Sequence, residues 1–307
     1  MQGIVIENVI TVVAIAMLGV LARQTGLVET GAGRYLSQLV MNITLPLLMF
    51  TAFTFKMNPD LVRYSLMAIV IAAATLSFAI FAAWVLVKLG KVEPEQVPVI
   101  KFIIIYGNTT FIGFPLCYIL FGEEGLFLAA IYNFVHIGFM WTYGIWVFFN
   151  AESKPRNLGT LLRELFREPF LYAMLIGVFL AFAQIKLPQP VFNVFNMVGK
   201  ATIPLSLLLV GIMLNIAALK VKDLQLLLGA AGTRLFLIPL LVLLALKAFN
   251  VPELVMAVSV IMVGTPSAAL APVFAGKYNG DQELAAAGVL ASTILAAISL
   301  PVLTLLL

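Results

Sequence analysis

The sequence predicts an all-α membrane protein: ten transmembrane helices in an inverted five-plus-five repeat, with helices 4 and 9 broken near mid-membrane. Three observations predict it. The chain has 307 residues, 63% of them hydrophobic and 10% charged, whereas a soluble domain carries roughly 25% charged residues. So few charges cannot cover a water-facing surface, which makes lipid the main solvent. The apolar residues fall into ten runs of spanning length. The two halves of the chain also share rare residues at one fixed offset.

A helix needs about 20 mostly apolar residues to cross the hydrocarbon core. Runs of that kind cover residues 4–22, 36–55, 64–87, 99–121, 125–149, 169–185, 191–215, 224–247, 253–276 and 284–306. The first has no basic residue before it, so it reads as a span and not as a cleaved leader. Short polar breaks separate the runs, among them Lys56–Arg63, Lys88–Pro94 and Leu219–Asp223. The longest break is charged and lies near mid-chain. It divides a first repeat, residues 1–150, from a second, residues 169–307, with 151–168 as a cytoplasmic linker.

The excess of lysine and arginine on cytoplasmic loops orients such a chain. With the N-terminus outside, the inner breaks hold Arg23, Arg34, Lys88, Lys91, Lys154, Arg156, Arg163, Arg167, Lys220, Lys222 and Lys277. The outer breaks hold Lys56, Arg63, Lys186, Lys200 and Lys247. The bias places both termini outside a cell membrane, the inner one in a bacterium. The net charge of +4 suits an anionic leaflet and gives no sign of a nucleic-acid partner.

Sliding the second half onto the first by 158 residues aligns Leu18-Gly19-Val20 with Ile176-Gly177-Val178 and Leu45-Pro46-Leu47 with Ile203-Pro204-Leu205. It also aligns Pro94-Glu95 with Pro252-Glu253 and Gly122-Glu123 with Gly280-Asp281. Each half has an odd number of spans, so the second enters the membrane from the opposite face. Inverted repeats of this kind underlie alternating access in secondary transporters.

Two spans carry helix breakers near mid-membrane. The fourth contains Gly107-Asn108-Thr109-Thr110 and then Gly113-Phe114-Pro115; the ninth contains Gly264-Thr265-Pro266-Ser267 and then Pro272. Proline removes a backbone donor and clashes with the preceding turn. Unwound backbone at membrane depth must be buried or line a wet cavity, and paired interrupted spans point to a transporter's binding site. Half-helix N-termini favour an anion, with Asn108, Thr109, Thr110, Thr265 and Ser267 as hydrogen-bonding groups. The blander reading is a pair of ordinary proline kinks.

Charged groups inside the membrane are functional by default. Arg234 lies about eleven residues into the eighth span, roughly 16 Å deep at 1.5 Å per residue. It reads either as a counter-charge for an anion or as a structural arginine bonding backbone carbonyls. Lys101 sits near a helix start and snorkels. His136, the single histidine, reads as a proton relay or as a packing residue. One histidine and one cysteine, Cys117, leave no basis for an internal disulfide or for most metal sites. No phosphate-binding G-x-x-x-x-G-K-[ST] segment, Gly-x-Ser-x-Gly segment or mid-membrane carboxylate pair occurs. ATP therefore does not drive the chain directly, and neither an enzyme nor a cofactor is expected.

Gly107-Asn108-Thr109 through Gly113-Phe114-Pro115, Pro272-Val273-Phe274-Ala275-Gly276-Lys277-Tyr278, Leu45-Pro46-Leu47 and Arg234 through Pro239 occur in an order and spacing that resembles the auxin efflux carrier family. That family includes plant PIN-formed carriers and bacterial permeases, with a distant relation to bile acid:sodium symporters. The resemblance implies a scaffold of helices 1, 2, 6 and 7, which also form a homodimer surface. It implies a transport domain of helices 3–5 and 8–10, and a small organic anion, a mono- or dicarboxylate, carried by alternating access. It places Asn108 at the family's substrate-contacting asparagine and Pro266-Ser267 at the second crossover. Gly107 stands where the plant carriers have proline. Asn42 and Ser65 stand where they have lysine and aspartate, so Asn42 with Thr109 or Ser267 is a candidate cation site. The coupling ion, sodium or proton, stays open. A sodium-coupled bile-acid-like symporter and a passive anion channel are the alternatives.

Overall fold

In the computed structural model, residues 2–29, 31–54, 59–90, 92–148, 169–183, 185, 187–214 and 224–307 are described. The expected linker 151–168 lies outside them, as do Lys56, Lys91, Lys186 and residues 219–223. The described chain is all-helical. Its helices are α1 (Gln2–Gln24), α2 (Ala32–Phe53), α3 (Pro59–Leu89), α4 (Val97–Ile105), α5 (Thr109–Val147) and α6 (Pro169–Phe182). They continue with α7 (Gln189–Met213), α8 (Leu224–Ala248), α9 (Glu253–Val263), α10 (Ala271–Lys277) and α11 (Gln282–Leu306).

Six of these are long and apolar enough to cross a membrane: α2, α3, α5, α7, α8 and α11. Three shorter apolar stretches, Ile10–Gln24, Leu171–Ala181 and Glu253–Val263, accompany them. The outer surface is correspondingly greasy. Val70, Phe179 and Ile298 are all more than 60% exposed, an arrangement that lipid tolerates and water does not. The protein is a multi-pass membrane protein.

Proline placement explains several irregularities. Wide π-helical turns cover Val40–Thr44, Thr109–Gly113 and Thr233–Leu237, and each is followed directly by a residue and then a proline, Pro46, Pro115 or Pro239. A proline ring inside a helix clashes with the carbonyl four residues back. A π turn at that point opens the backbone and relieves the clash. Gly122 interrupts α5 at φ 64° and ψ −148°, a conformation essentially reserved for glycine. The chain turns there, between the predicted fourth and fifth spans.

Two close helix contacts frame the molecule. α1 packs along α7, and α6 packs along α2. At the first contact, a Cβ on Gly19 would run into Leu208 O and the Gly211 backbone. At the second, a Cβ on Gly177 would run into Phe50 O and the Phe53 side chain. Small residues at these points let backbones approach without lipid between them. Beside the first contact, Arg23 Nη1 donates to Ile212 O at 2.8 Å, tying the end of α1 to the end of α7.

Candidate substrate site at the helix crossing

α4 stops at Ile105 and α9 stops at Val263. The segments that follow run past each other as extended chain, with Gly107 and Ser267 paired antiparallel. Asn108 N donates to Pro266 O at 2.7 Å, and Ala268 N donates to Tyr106 O at 2.9 Å. Two interrupted helices thus satisfy part of each other's exposed backbone, which must be done internally at membrane depth.

The remaining backbone groups draw on side chains from three further helices, α8, α11 and α5, and from the crossing itself. Arg234 of α8 is 2% exposed. Its Nε donates to Thr265 O at 2.8 Å, Nη1 to Ile104 O at 2.8 Å and Nη2 to Val263 O at 3.4 Å. Those carbonyls lie at the C-terminal ends of α4 and α9, where helix dipoles leave partial negative charge. One planar guanidinium therefore holds both broken ends, a task suited to the fixed donor fork of arginine. Ser267 Oγ donates to Ile103 O at 2.9 Å, and Thr265 Oγ1 donates to Met262 O at 2.9 Å. Ser267 N donates to Ser292 Oγ of α11 at 3.0 Å, and Gly107 N donates to His136 Nε2 of α5 at 3.1 Å.

Gly107 lacks a side chain for a visible reason. A Cβ there would coincide with Arg234 Nη2 and Thr265 Oγ1. At Gly113 a Cβ would press against Met262 Sδ, and at Gly264 against Leu303 Cδ1. The glycines of the crossing are thus packing requirements as well as backbone hinges.

Asn108 begins α5. Its Oδ1 accepts from Phe111 N at 3.2 Å, and the Thr109 hydroxyl donates to Asn133 Oδ1 at 2.6 Å. The first N–H groups of a helix lack intrahelical partners, and here the Asn108 side chain takes only that of Phe111. The Asn108 side-chain NH₂ has no partner among the described residues.

Two cavities meet the crossing at Asn108. One, of about 90 Å³, lies between α2 and α5 and is lined by Met41, Gly107, Thr109, Thr110, His136 and Trp141 among others. The second, of about 120 Å³, lies between α7 and α11 and reaches Val210, Met213, Pro272 and Thr293. Asn108, Phe111 and Ala269 belong to both walls. Among the described residues no carboxylate lines either cavity or bonds Arg234.

The predicted residues divide into three groups. Asn108, Thr109 and Thr110 face the cavities. Thr265, Pro266, Ser267 and Arg234 build the crossing itself, with their donors or acceptors engaged by backbone. Of the two roles open for Arg234, backbone bonding is the one its hydrogen bonds fill. Asn42 is exposed on α2 and lines neither cavity. The wide turn Val40–Thr44 precedes Pro46 and shifts the register of α2 there. Asn133 and Ser292 escaped the sequence reading. Asn133 and His136 are three residues apart, which places two rare polar groups on one helix face of an otherwise apolar span. Ser292 gave no such signal.

A helical bundle with exposed apolar flanks, a buried polar crossing of two broken helices and cavities meeting there is the architecture of a membrane transport protein. The sequence agrees. Residues 4–304 match the membrane transport protein family, and the chain belongs to it, the family of the auxin efflux carriers. An uncharacterized transporter of Methanothermobacter thermautotrophicus is 28% identical over 309 residues, with 96% of each chain covered. An uncharacterized transporter of Methanocaldococcus jannaschii is 23% identical over 218 residues, with 70% of each chain covered.

Proposed function

We propose that the chain is a secondary transporter that moves a small organic anion by alternating access, with the substrate bound at Asn108 where helices 4 and 9 cross. The observation that carries this reading is the cavity pair at Asn108 directly in front of a buried guanidinium that has no acidic partner among the described residues. The carbonyls around Arg234 satisfy its hydrogen bonds but carry no net charge. Gly107 lines the cavity and has no side chain to hold the guanidinium away from it. Two unit charges about 6 Å apart interact by about 3 kcal/mol at an effective dielectric near 20. That favours an anion over a cation as the cargo. The Asn108 NH₂ and the first N–H groups of α5 supply hydrogen bonds to it.

The inverted repeat is part of the proposal, and contact geometry supports it. Gly19 meets positions 208 and 211, and Gly177 meets positions 50 and 53. All three correspondences, 19 with 177, 50 with 208 and 53 with 211, have the 158-residue offset found in the sequence. α4 with the start of α5 forms the fourth crossing, α9 with α10 the ninth, and the turn at Gly122 begins the fifth. Ten crossings then leave both termini outside. Helices 1, 2, 6 and 7 form the scaffold and the surface for a second copy.

In this reading the two cavities lie toward the cytoplasmic side. Cavity residues Met213 and Leu214 end α7 beside Arg23 of α1 and Gly33 of α2. Lys277 lies 5.8 Å over the ring of Trp141 on the other cavity wall. These basic residues sit on the loops assigned to the cytoplasm. The test is counterflow of radiolabelled carboxylates into proteoliposomes. Saturable exchange stimulated by internal anion is expected; single-channel currents without saturation would favour a pore instead. Dependence of uptake on sodium would select the symporter variant of the mechanism.

A further inference from the structure

His136 is the one titratable side chain among the residues lining the cavity between α2 and α5, and its two ring nitrogens differ. Nε2 lies 3.1 Å from Gly107 N. A backbone N–H only donates, so Nε2 carries the lone pair and a neutral ring holds its proton on Nδ1. Nδ1 is buried with no hydrogen-bond partner among the described residues, and the residue as a whole is 3% exposed. Tyr106 packs edge-on against the ring at 5.7 Å and limits its rotation. A buried N–H without an acceptor is costly, and in a native protein such a group calls for a partner.

We propose that His136 is a specificity-determining residue whose Nδ1–H, closed off from the cavity in this conformation, is uncovered as the crossing moves during transport and then donates to the carboxylate of the transported anion. The inference rests on the reading that the cavity at Asn108 holds that anion. His136 acts as a neutral imidazole. Adding a proton to Nε2 would break the Gly107 bond and set a second positive charge near Arg234. Gly107 therefore has two effects at once: its N–H fixes the tautomer, and its missing side chain brings the arginine close. With the Asn108 NH₂ and the Thr110 hydroxyl, His136 completes a set of uncharged donors in front of one fixed charge. Such a set binds a carboxylate while leaving it weakly enough held to be released.

His136 is the chain's single histidine, which makes the test clean. In protein labelled with ¹⁵N-histidine, long-range ¹H–¹⁵N spectra of one imidazole report its tautomer directly. The expected spectrum has a protonated Nδ1 whose signal moves when acetate, propionate, butyrate, malonate or benzoate is added. A protonated Nε2, or an Nδ1 signal unmoved by every anion that binds, overturns the inference.

Two substitutions separate contact from packing. His136→Gln keeps an acceptor near the Nε2 position and loses the Nδ1 donor, so anion affinity falls about tenfold with the fold intact. His136→Asn keeps a donor near the Nδ1 position and retains more of that affinity. A His136→Gln protein that binds the same anions as tightly as the wild type refutes the role. If Asn108→Ala then still abolishes binding, only the histidine inference fails. If wild-type protein binds none of the five anions, the anion site itself fails, and this inference with it.

Discussion

Arg234 bears on two roles that the sequence left as alternatives. Its donors close the ends of α4 and α9, while in the proposed function its charge acts through Gly107 on the anion at Asn108. The two roles separate by substitution. Arg234→Met leaves carbonyls of Ile104 and Thr265 without their donor, at about 1–3 kcal/mol for each group that stays unpaired. The expected result is a lower melting temperature of the purified protein and loss of uptake. Arg234→Lys keeps the charge but not the fork, so it melts lower than wild type yet keeps measurable anion binding. Gly107→Ala pushes a methyl group into the guanidinium and is expected to lose uptake even where the protein still folds. Residues of this kind were half legible. An arginine deep in an apolar span announces itself by its burial cost, but its partners are backbone carbonyls, which no sequence pattern marks. Asn42 is the opposite case: its polarity suggested a site, and on α2 it is exposed and lies outside both cavities.

The elements follow from apolar runs and punctuation. Spans as long as α3 and α11 were legible because 25 or more residues of unbroken apolar helix fit the bilayer and little else. The crossing was legible because glycine and proline recur in two corresponding spans. The π-helical turns were not, since the same proline is compatible with a kink, a break or a widened turn. Gly122 gives an element-level test. Its φ of 64° and ψ of −148° admit no other residue without strain, typically about 1–3 kcal/mol. Gly122→Ala is expected to lower the melting temperature in detergent while leaving anion affinity of the folded fraction unchanged, because the turn lies outside both cavities.

The whole molecule reads as two interlocked halves, with α1 on α7 and α6 on α2. If the halves are inverted copies, the two glycine contacts are equivalent. Gly19→Val and Gly177→Val each force a side chain against a helix backbone and are expected to destabilise the protein comparably; a large effect at only one of them would argue against the symmetry. Topology is testable with one reagent, because Cys117 is buried and silent toward aqueous maleimides. In intact cells a membrane-impermeant maleimide is expected to label Phe249→Cys and not Thr25→Cys, both exposed positions. The reverse pattern would invert the orientation, and the cavities would then open outward.

The central claim is that an anion binds at Asn108 and is carried across. Its most direct measurement is counterflow of a carboxylate that binds the purified protein, in proteoliposomes of wild-type and Asn108→Ala protein reconstituted at equal density. The account predicts saturable exchange by the wild type and at least a tenfold loss in the variant, with melting temperatures that stay close. Undiminished exchange by a correctly folded Asn108→Ala protein would contradict it.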